Sequence, residues 1–484
     1  MSWQERDFPM ITMNKNPKKV VVFGIDGAFP EYVFGEWIDE LPNIKKLMKE
    51  GAYARLNSTI PPLSVVAWTS ITTGKHPADT GIFEYVYRKN HFPTDTRIVS
   101  SRNLTEKTIW QIASENSMKS TVGYLILTWP IISFNGNLIC GTLSPDGKDA
   151  ETVYPAELKK ELNSLFGEIP GTDVPNFRNI SDEETAEKIN KLTKKQLEIA
   201  KYLLKNKEWD LFFWVVGVSD RMNHTFWKYI DREHRKYEPY SKFKDTLKNY
   251  YKLLDSELGE IIESAGKDTV VIVLSDHGIM RLHTRIKLTD WLIKEGYMVL
   301  KKPATEKLEF DFSMVDWKKT KAFAIGAYEG QIFINLKGRE PEGIVEKEEY
   351  DALIEEIISG LGKIRGDKGE CLNNRFFKKK EYFHGKCERI APDLIVYFDN
   401  LQYGCDNTLV GNETLYGERT AKGPGDTGHS MQGIFIIKNG KCGGDLGEVS
   451  YLDVAPTILS ELGIKIPDDM TGRIIGGKNG NLSS

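Results

Sequence analysis

A chain of 484 residues is too long for a small single-core module and long enough for one large α/β domain carrying an insertion. Hydrophobic residues make up 40% and charged residues 28%, an ordinary soluble globular balance, and the net charge of −4 argues against stable nucleic-acid binding or attraction to an anionic membrane. No apolar run approaches the ~18 residues that a membrane span needs, and the five cysteines are scattered, forming neither a disulfide framework nor a CxxC zinc pattern.

Residues 1–17 read as a flexible leader without the apolar core of a signal peptide, so a cytoplasmic location is expected. Residues 19–25 (KVVVFGI) have the β-branched apolar pattern of a buried strand and end in Asp26-Gly27. Helical pieces are expected over 30–38 and 42–50, the second opened by Pro42 and closed by Gly51. The stretch 61–74 (PPLSVVAWTSITTG) follows. Its two prolines enforce an extended approach, Ser64 stands where a helix begins, and Gly74 can end it. A serine there ordinarily caps free backbone N–H groups, while the same helix end also suits a phosphoryl group.

A helix over 108–116, a strand over 121–127, loops over 146–181 and a long amphipathic helix over 183–205 come next. A buried strand over 209–218 then runs into Ser219-Asp220-Arg221-Met222-Asn223-His224. A helix over 240–264 leads to a strand over 268–274, which ends in Ser275-Asp276-His277-Gly278. Such alternation predicts a mostly parallel sheet covered by helices on both faces. From about 290 to 420 the texture changes to short strands (321–325, 331–335, 394–398), charged glycine-rich connections and one helix over 347–361. This pattern suits an insertion beside the main sheet. Gly425-Asp426-Thr427-Gly428-His429 then precede a strand over 433–437, and the last helix is expected over 453–462.

Three separate strands therefore end in acidic or histidine residues, where open α/β sheets collect their ligands. The candidate set is Asp26, Ser64, Asp220, His224, Asp276, His277 and His429. Asp220 and His224 are four apart and share one face of a helical turn. Mixed carboxylate and imidazole ligands suit Zn²⁺, with Mn²⁺ or Fe as alternatives. Six such ligands and a hydroxyl are enough for two divalent metal ions with open positions. A metal pair clamps the attacking and leaving oxygens of an in-line phosphoryl transfer and turns a hydroxyl into a nucleophile. No GxSxG elbow surrounds Ser64, and Thr73-Gly74-Lys75 lacks the glycine-rich loop of a Walker A motif.

In this order and spacing, the chain resembles the alkaline phosphatase superfamily, close to its type I phosphodiesterase/nucleotide pyrophosphatase branch. The resemblance is carried by Gly24–Gly27 (GIDG), by residues 64–82, by the intact SDHG motif and by Asp453-Val454-Ala455-Pro456-Thr457-Ile458-Leu459. It covers about residues 19–278 and 425–472, and the insert, with Gly338-Arg339-Glu340-Pro341-Glu342-Gly343, looks like that of predicted phosphohydrolase or phosphomutase members. The resemblance implies a three-layer sandwich. It also implies one metal on Asp220, His224 and His429, and another on Asp26, Asp276, His277 and the Ser64 oxygen. Ser64 would attack phosphorus, and water would cleave the resulting phosphoseryl or nucleotidyl-seryl intermediate. The usual Asn that holds a phosphoryl oxygen is missing from the nucleophile motif. The candidates for its work are the backbone N–H of Val65, the cations Lys75, Arg88 and Arg221, and, as a substrate contact, Tyr85.

The expected organisation is a leader (1–17), a metallo-phosphohydrolase core (18–289 and 421–475), an inserted cap region (290–420) and a tail (476–484). The expected activity is two-metal phosphohydrolysis through Ser64 on a small phosphodiester, phosphomonoester or nucleotide-like substrate. A phosphomutase using the same phosphoseryl chemistry, and a non-catalytic binding protein of the same fold, are the alternatives. No residue pattern specifies an oligomeric state.

Overall fold

The structure is a computed structural model that describes residues 18–88, 91, 93–145, 151–304, 310–326, 328–407, 409, 414–417, 419–420, 423–424 and 426–476. The expected leader (1–17), Gly425 and all of the expected tail but its first residue lie outside the described residues. The central sheet has nine strands: β1 (Val20–Ile25), β2 (Ala52–Asn57), β3 (Ser120–Leu125), β4 (Gly136–Cys140), β5 (Val153–Tyr154), β6 (Leu211–Val216), β7 (Val270–Leu274), β8 (Gln432–Lys438) and β9 (Gly444–Ser450). Their order is β9-β2-β8-β7-β1-β6-β3-β4-β5. Strands β7, β1, β6, β3 and β4 form a parallel block, β2 and β9 run the same way, and β8 and β5 are reversed.

Every residue of β1, β6 and β7 is buried, as continuous apolar strands of a doubly covered sheet must be. Alternate side chains feed two cores. Val21, Phe23 and Ile25 pack with helices α1 (Pro42–Glu50), α3 (Asp182–Asn206) and α5 (Thr246–Ala265). Val20 and Val22 pack with α2 (Ser64–Thr73) and α6 (Val454–Glu461). The result is a three-layer sandwich, with α4 (Ser219–Phe226) at the exit of β6.

Two local expectations change. Residues 30–38 form a π-helical turn (Glu31–Glu36) and a 3₁₀ turn (Ile38–Glu40) instead of an α-helix. The Trp37 N–H reaches the Tyr32 carbonyl at 2.8 Å, the wider spacing of a π turn, which brings both rings onto Phe29 and the Tyr32 ring onto Trp227. The expected loops over 146–181 contain a helix, Ala156–Phe166. It buries only Leu158 and Leu162, too narrow a stripe to stand out between prolines and glycines.

In the 290–420 region, Ala322–Gly326, Gly330–Ile334, Leu394–Tyr397 and Arg375–Lys378 form an antiparallel sheet in that order, with the helix Tyr350–Leu361 packed on a core of its own. Arg88 of the main body donates to Glu340 of this region (2.7 Å) and lies over the Phe333 ring (4.4 Å). Within it Glu329 is fully buried. One carboxylate oxygen accepts from Gln331, and the other has no hydrogen-bond partner among the described residues. Burial pushes its carboxyl up from 4.5 to about 7. Between those values the folded chain binds the proton that the unfolded chain has released, so stability falls as pH rises through that window. Glu329→Gln is therefore expected to exceed the wild type in stability by ~2 kcal/mol at pH 8, with the gap closing toward pH 4, measured by denaturant unfolding at both pH values.

Candidate active site

Strands β7, β1 and β6 are adjacent and parallel, so their carboxyl ends open onto one place. Asp26 follows β1 directly, Asp276 and His277 follow β7 after Ser275, and Asp220 and His224 lie on α4 just beyond β6. His429 arrives on the strand Thr427–Ser430, which pairs antiparallel with Gly278–Arg281 and sets His429 opposite Ile279. All seven candidate residues, Ser64 included, meet there. Six are buried, and His224 is partly so.

Two close approaches shape the floor. Gly24 has no side chain where the Trp68 indole crosses β1; a Cβ there would sit 2.7 Å from Trp68 Cη2. The indole N–H can therefore donate to Asp26 Oδ2 at 2.9 Å. Gly27 has φ +74°, and its turn is held by Asn223, whose amide donates to the Gly27 carbonyl at 2.9 Å. The Ser219 hydroxyl donates to the Asp26 carbonyl at 2.7 Å.

Ser64 is the first residue of α2, after Leu63. It does not cap the helix as a serine at that end ordinarily does. Its Oγ lies 3.0 Å from His277 Nε2 and donates to Asp26 Oδ1 at 3.3 Å. The N–H groups of Val66 and Ala67 go to the Leu63 carbonyl, while those of Ser64 and Val65 sit in the first turn, where no intrahelical acceptor exists.

The three imidazoles are oriented alike. His277 Nδ1 donates to the Gly278 carbonyl (3.0 Å) and His429 Nδ1 to the Pro62 carbonyl (2.7 Å). His224 Nδ1 meets Thr427 Oγ1 (2.5 Å), whose hydroxyl points to the His224 carbonyl (3.5 Å). Each Nε2 is thus left as a lone pair facing inward. His224 Nε2 and His429 Nε2 lie 3.2 and 3.5 Å from Asp220 Oδ1 and 3.4 Å from each other. His277 Nε2 lies 3.2 Å from Asp276 Oδ2 and 3.6 Å from Asp26 Oδ1. Acceptors facing acceptors at such distances repel unless cations lie between them. Buried Asp220 Oδ1 and Asp276 Oδ2 also lack hydrogen-bond donors among the described residues.

These contacts fit metal ions. Two ligand groups, Asp220–His224–His429 and Asp26–Asp220–His277, each have their ligand atoms within 4.8 Å of one another, and Asp220 is common to both. Asp276 joins the second through His277 and accepts the Gly27 N–H at 3.2 Å. Burial, then the Asp276 carboxylate, pushes Asp26 well above the usual carboxylate range, and burial does the same to Asp276. Burial and then His277 push His429 down to about 3, so it is a neutral ligand at physiological pH.

Of the remaining candidates, Tyr85, Arg221 and the Val65 N–H are at the site. Tyr85 and Arg221 line the pocket in front of Ser64 together with Tyr124 and Thr142. Arg221 donates to Asp220 (2.6 Å) and Asp173 (2.9 Å). Lys75 and Arg88 are engaged elsewhere: Lys75 pairs with Asp469 past the far end of α2 (2.5 Å), and Arg88 holds the insertion's Glu340. Sequence reasoning passed over Trp68, Thr427, Asn223 and Tyr328. The first three sit inside the motifs, four or fewer residues from a ligand. Tyr328 comes from the insertion without any motif; its hydroxyl lies 3.1 Å from His224 Nε2, and its ring lies 4.2 Å from that of His429. Trp68→Phe keeps the ring and removes the donor to Asp26. Metal affinity is expected to fall ~10-fold or more, read by titrating apo protein with Zn²⁺.

A hydroxyl set against paired carboxylate–imidazole groups at a sheet's carboxyl edge is the layout of a phosphoryl hydrolase. The family model described as type I phosphodiesterase / nucleotide pyrophosphatase matches residues 20–408, and the chain belongs to that family of metal-dependent phosphoric ester hydrolases. Murine ectonucleotide pyrophosphatase/phosphodiesterase 5 is similar in structure, at 15% identity and a TM-score of 0.51, over 93% of this chain and 96% of that one. Phosphonoacetate hydrolase from Sinorhizobium meliloti 1021, solved with phosphonoacetate, is similar at 16% identity and a TM-score of 0.60, over 93% of this chain and 98% of that one. No curated protein matches the chain in sequence. Among the described residues no helix is long and apolar enough to cross a membrane.

Proposed function

We propose that this protein is a two-metal phosphohydrolase that cleaves a small phosphodiester or nucleotide-like substrate through a covalent intermediate on Ser64. The observation that carries the reading is the position of the Ser64 hydroxyl, in the first turn of α2 and within 3.0 to 3.3 Å of His277 Nε2 and Asp26 Oδ1. Asp220, His224 and His429 would hold one divalent ion, and Asp26, Asp276 and His277 the other, with Asp220 close enough to serve both, and with Zn²⁺ favoured by three imidazoles and Mn²⁺ the alternative. When bound, the ions supply Lewis acidity to the phosphoryl oxygens. Ser64 Oγ would attack phosphorus as the bond to the leaving oxygen breaks, its proton passing to that oxygen, and water would then cleave the phosphoseryl ester, its hydroxyl going to phosphorus and its proton back to Ser64 Oγ. The Val65 N–H and the Tyr85 hydroxyl are suited to the phosphoryl oxygen that the missing Asn would have held. Burial pushes Tyr85 well above its ordinary value, so the phenol remains a donor at neutral pH. The five cysteines are free thiols, which suits a reducing, cytoplasmic compartment.

The test is a screen of metal-reconstituted protein against bis-p-nitrophenyl phosphate, p-nitrophenyl phosphate, dinucleoside pyrophosphates and phosphonoacetate. Hydrolysis of a diester or pyrophosphate is expected. Transfer of phosphate to a second hydroxyl without free phosphate would establish the mutase instead, and inert metal-loaded protein would remove the hydrolase reading.

A further inference from the structure

Arg178 stands in a 3₁₀ turn, Phe177–Asn179, that packs against α4, the helix carrying Asp220 and His224. The turn is fixed in place. The Thr185 hydroxyl donates to the Phe177 carbonyl at 3.3 Å, and the Asn179 N–H to the Asn176 carbonyl at 2.8 Å. Phe177 is buried, and its ring carries two guanidinium groups, Arg178 at 4.5 Å and Arg221 at 5.3 Å from the centroid.

The two arginines differ in what else they hold. Arg221 is occupied by Asp220 and Asp173. Arg178 is half-buried and, among the described residues, makes neither a hydrogen bond nor an ion pair; its one contact of that kind is the Phe177 ring. Arg221, which shares that ring, lines the pocket in front of Ser64, so Arg178 stands one ring away from that pocket. A partly desolvated guanidinium without a counter-ion is costly, and an arginine's planar fork is matched to carboxylate and phosphate groups. The scissile phosphoryl group is already provided for at Ser64. Arg178 stands beyond Arg221, as the other partner of the Phe177 ring, in the turn packed against α4.

We propose that Arg178 determines specificity by receiving a second anionic group of the substrate, a phosphate or a carboxylate, held apart from the phosphoryl group that reacts. The assignment rests on the phosphohydrolase reading of the same site. It predicts a preference for ligands with two anionic heads over ligands with one.

Calorimetric titration of the metal-loaded full chain with methyl phosphate, pyrophosphate and 2-phosphoglycolate, carried out throughout in a Ser64→Ala background so that no ligand is hydrolysed, tests this. Methyl phosphate offers one anionic head, pyrophosphate adds a second phosphate and 2-phosphoglycolate adds a carboxylate. One two-headed ligand is expected to bind at least ~10-fold more tightly than methyl phosphate, the margin of one charge-assisted contact. In Arg178→Ala that margin should shrink to about 2-fold or less, while Arg178→Lys should keep part of it. Whichever two-headed ligand shows the margin identifies the second group. An equal margin in Arg178→Ala and its parent, or no margin in the parent, would overturn the assignment. The screen for hydrolysis is a separate measurement, so loss of that activity reading and loss of this one are told apart.

Discussion

Ser64→Ala is expected to lower turnover by ~10⁴-fold or more while leaving metal content and thermal stability nearly unchanged. The separation follows from the contacts of the hydroxyl. Ser64 Oγ touches His277 Nε2 and Asp26 Oδ1, yet both of those groups have other anchors: Trp68 holds Asp26, and the Gly278 carbonyl holds His277. Removing the oxygen therefore deletes the nucleophile without releasing the ligands. The helix start survives as well, because Leu63 supplies its first acceptor and the serine side chain is not a cap. The thermal midpoint should stay within ~2 °C of the wild type, since Asp26 and His277 each keep another partner. The check is threefold: steady-state hydrolysis of the best substrate from the screen, metal content by mass spectrometry, and a melting curve. Wild-type turnover in the variant would take Ser64 out of the chemistry. Loss of both metals with the hydroxyl would instead make it a structural ligand.

The layout of the candidate site was legible in the sequence for a physical reason. Buried parallel strands must be apolar throughout, so Asp26 after VVVFGI, and Asp276-His277 after VVIVL, stand out against their own strands. The DxxxH spacing of Asp220 and His224 survives because one helical turn carries both. The edge of the sheet was not legible. β9 (GDLGEVS) holds two glycines and three acidic or polar residues, and its pairing with β2 is parallel and interrupted by a register shift. Nothing local marks such a strand; it is made by its neighbour. The same holds for Tyr328, which reaches His224 from a segment whose own pattern reads as insertion and acquires meaning only once that segment is folded against the site. Ligands on regular elements announce themselves, whereas residues that surround the ligands are delivered by tertiary packing.

Asp220 is the one carboxylate common to both ligand groups, so Asp220→Asn should cost both metals together. An Asn in its place keeps the shape and a single neutral oxygen, removing the negative charge that faces His224 and His429. Metal content is expected to fall from two ions per chain to below one, and turnover by ~10⁴-fold or more, with Lewis acidity lost from both ends of the reacting phosphoryl group. His429→Ala removes a ligand of one group only and should retain about one ion. Chelation separates metal loss from general damage. Ions bound at ~1,000 times their Kd add ~4 kcal/mol to the folded state, so stripping the wild type should lower its melting temperature by several degrees. Asp220→Asn, already nearly metal-free, should melt at almost the same temperature with and without chelator. Arg221 remains held by Asp173 at 2.9 Å, so the substitution leaves that guanidinium paired and the comparison clean. A variant that still melts lower after chelation would retain its ions, and the sharing of Asp220 between the two groups would then be refuted.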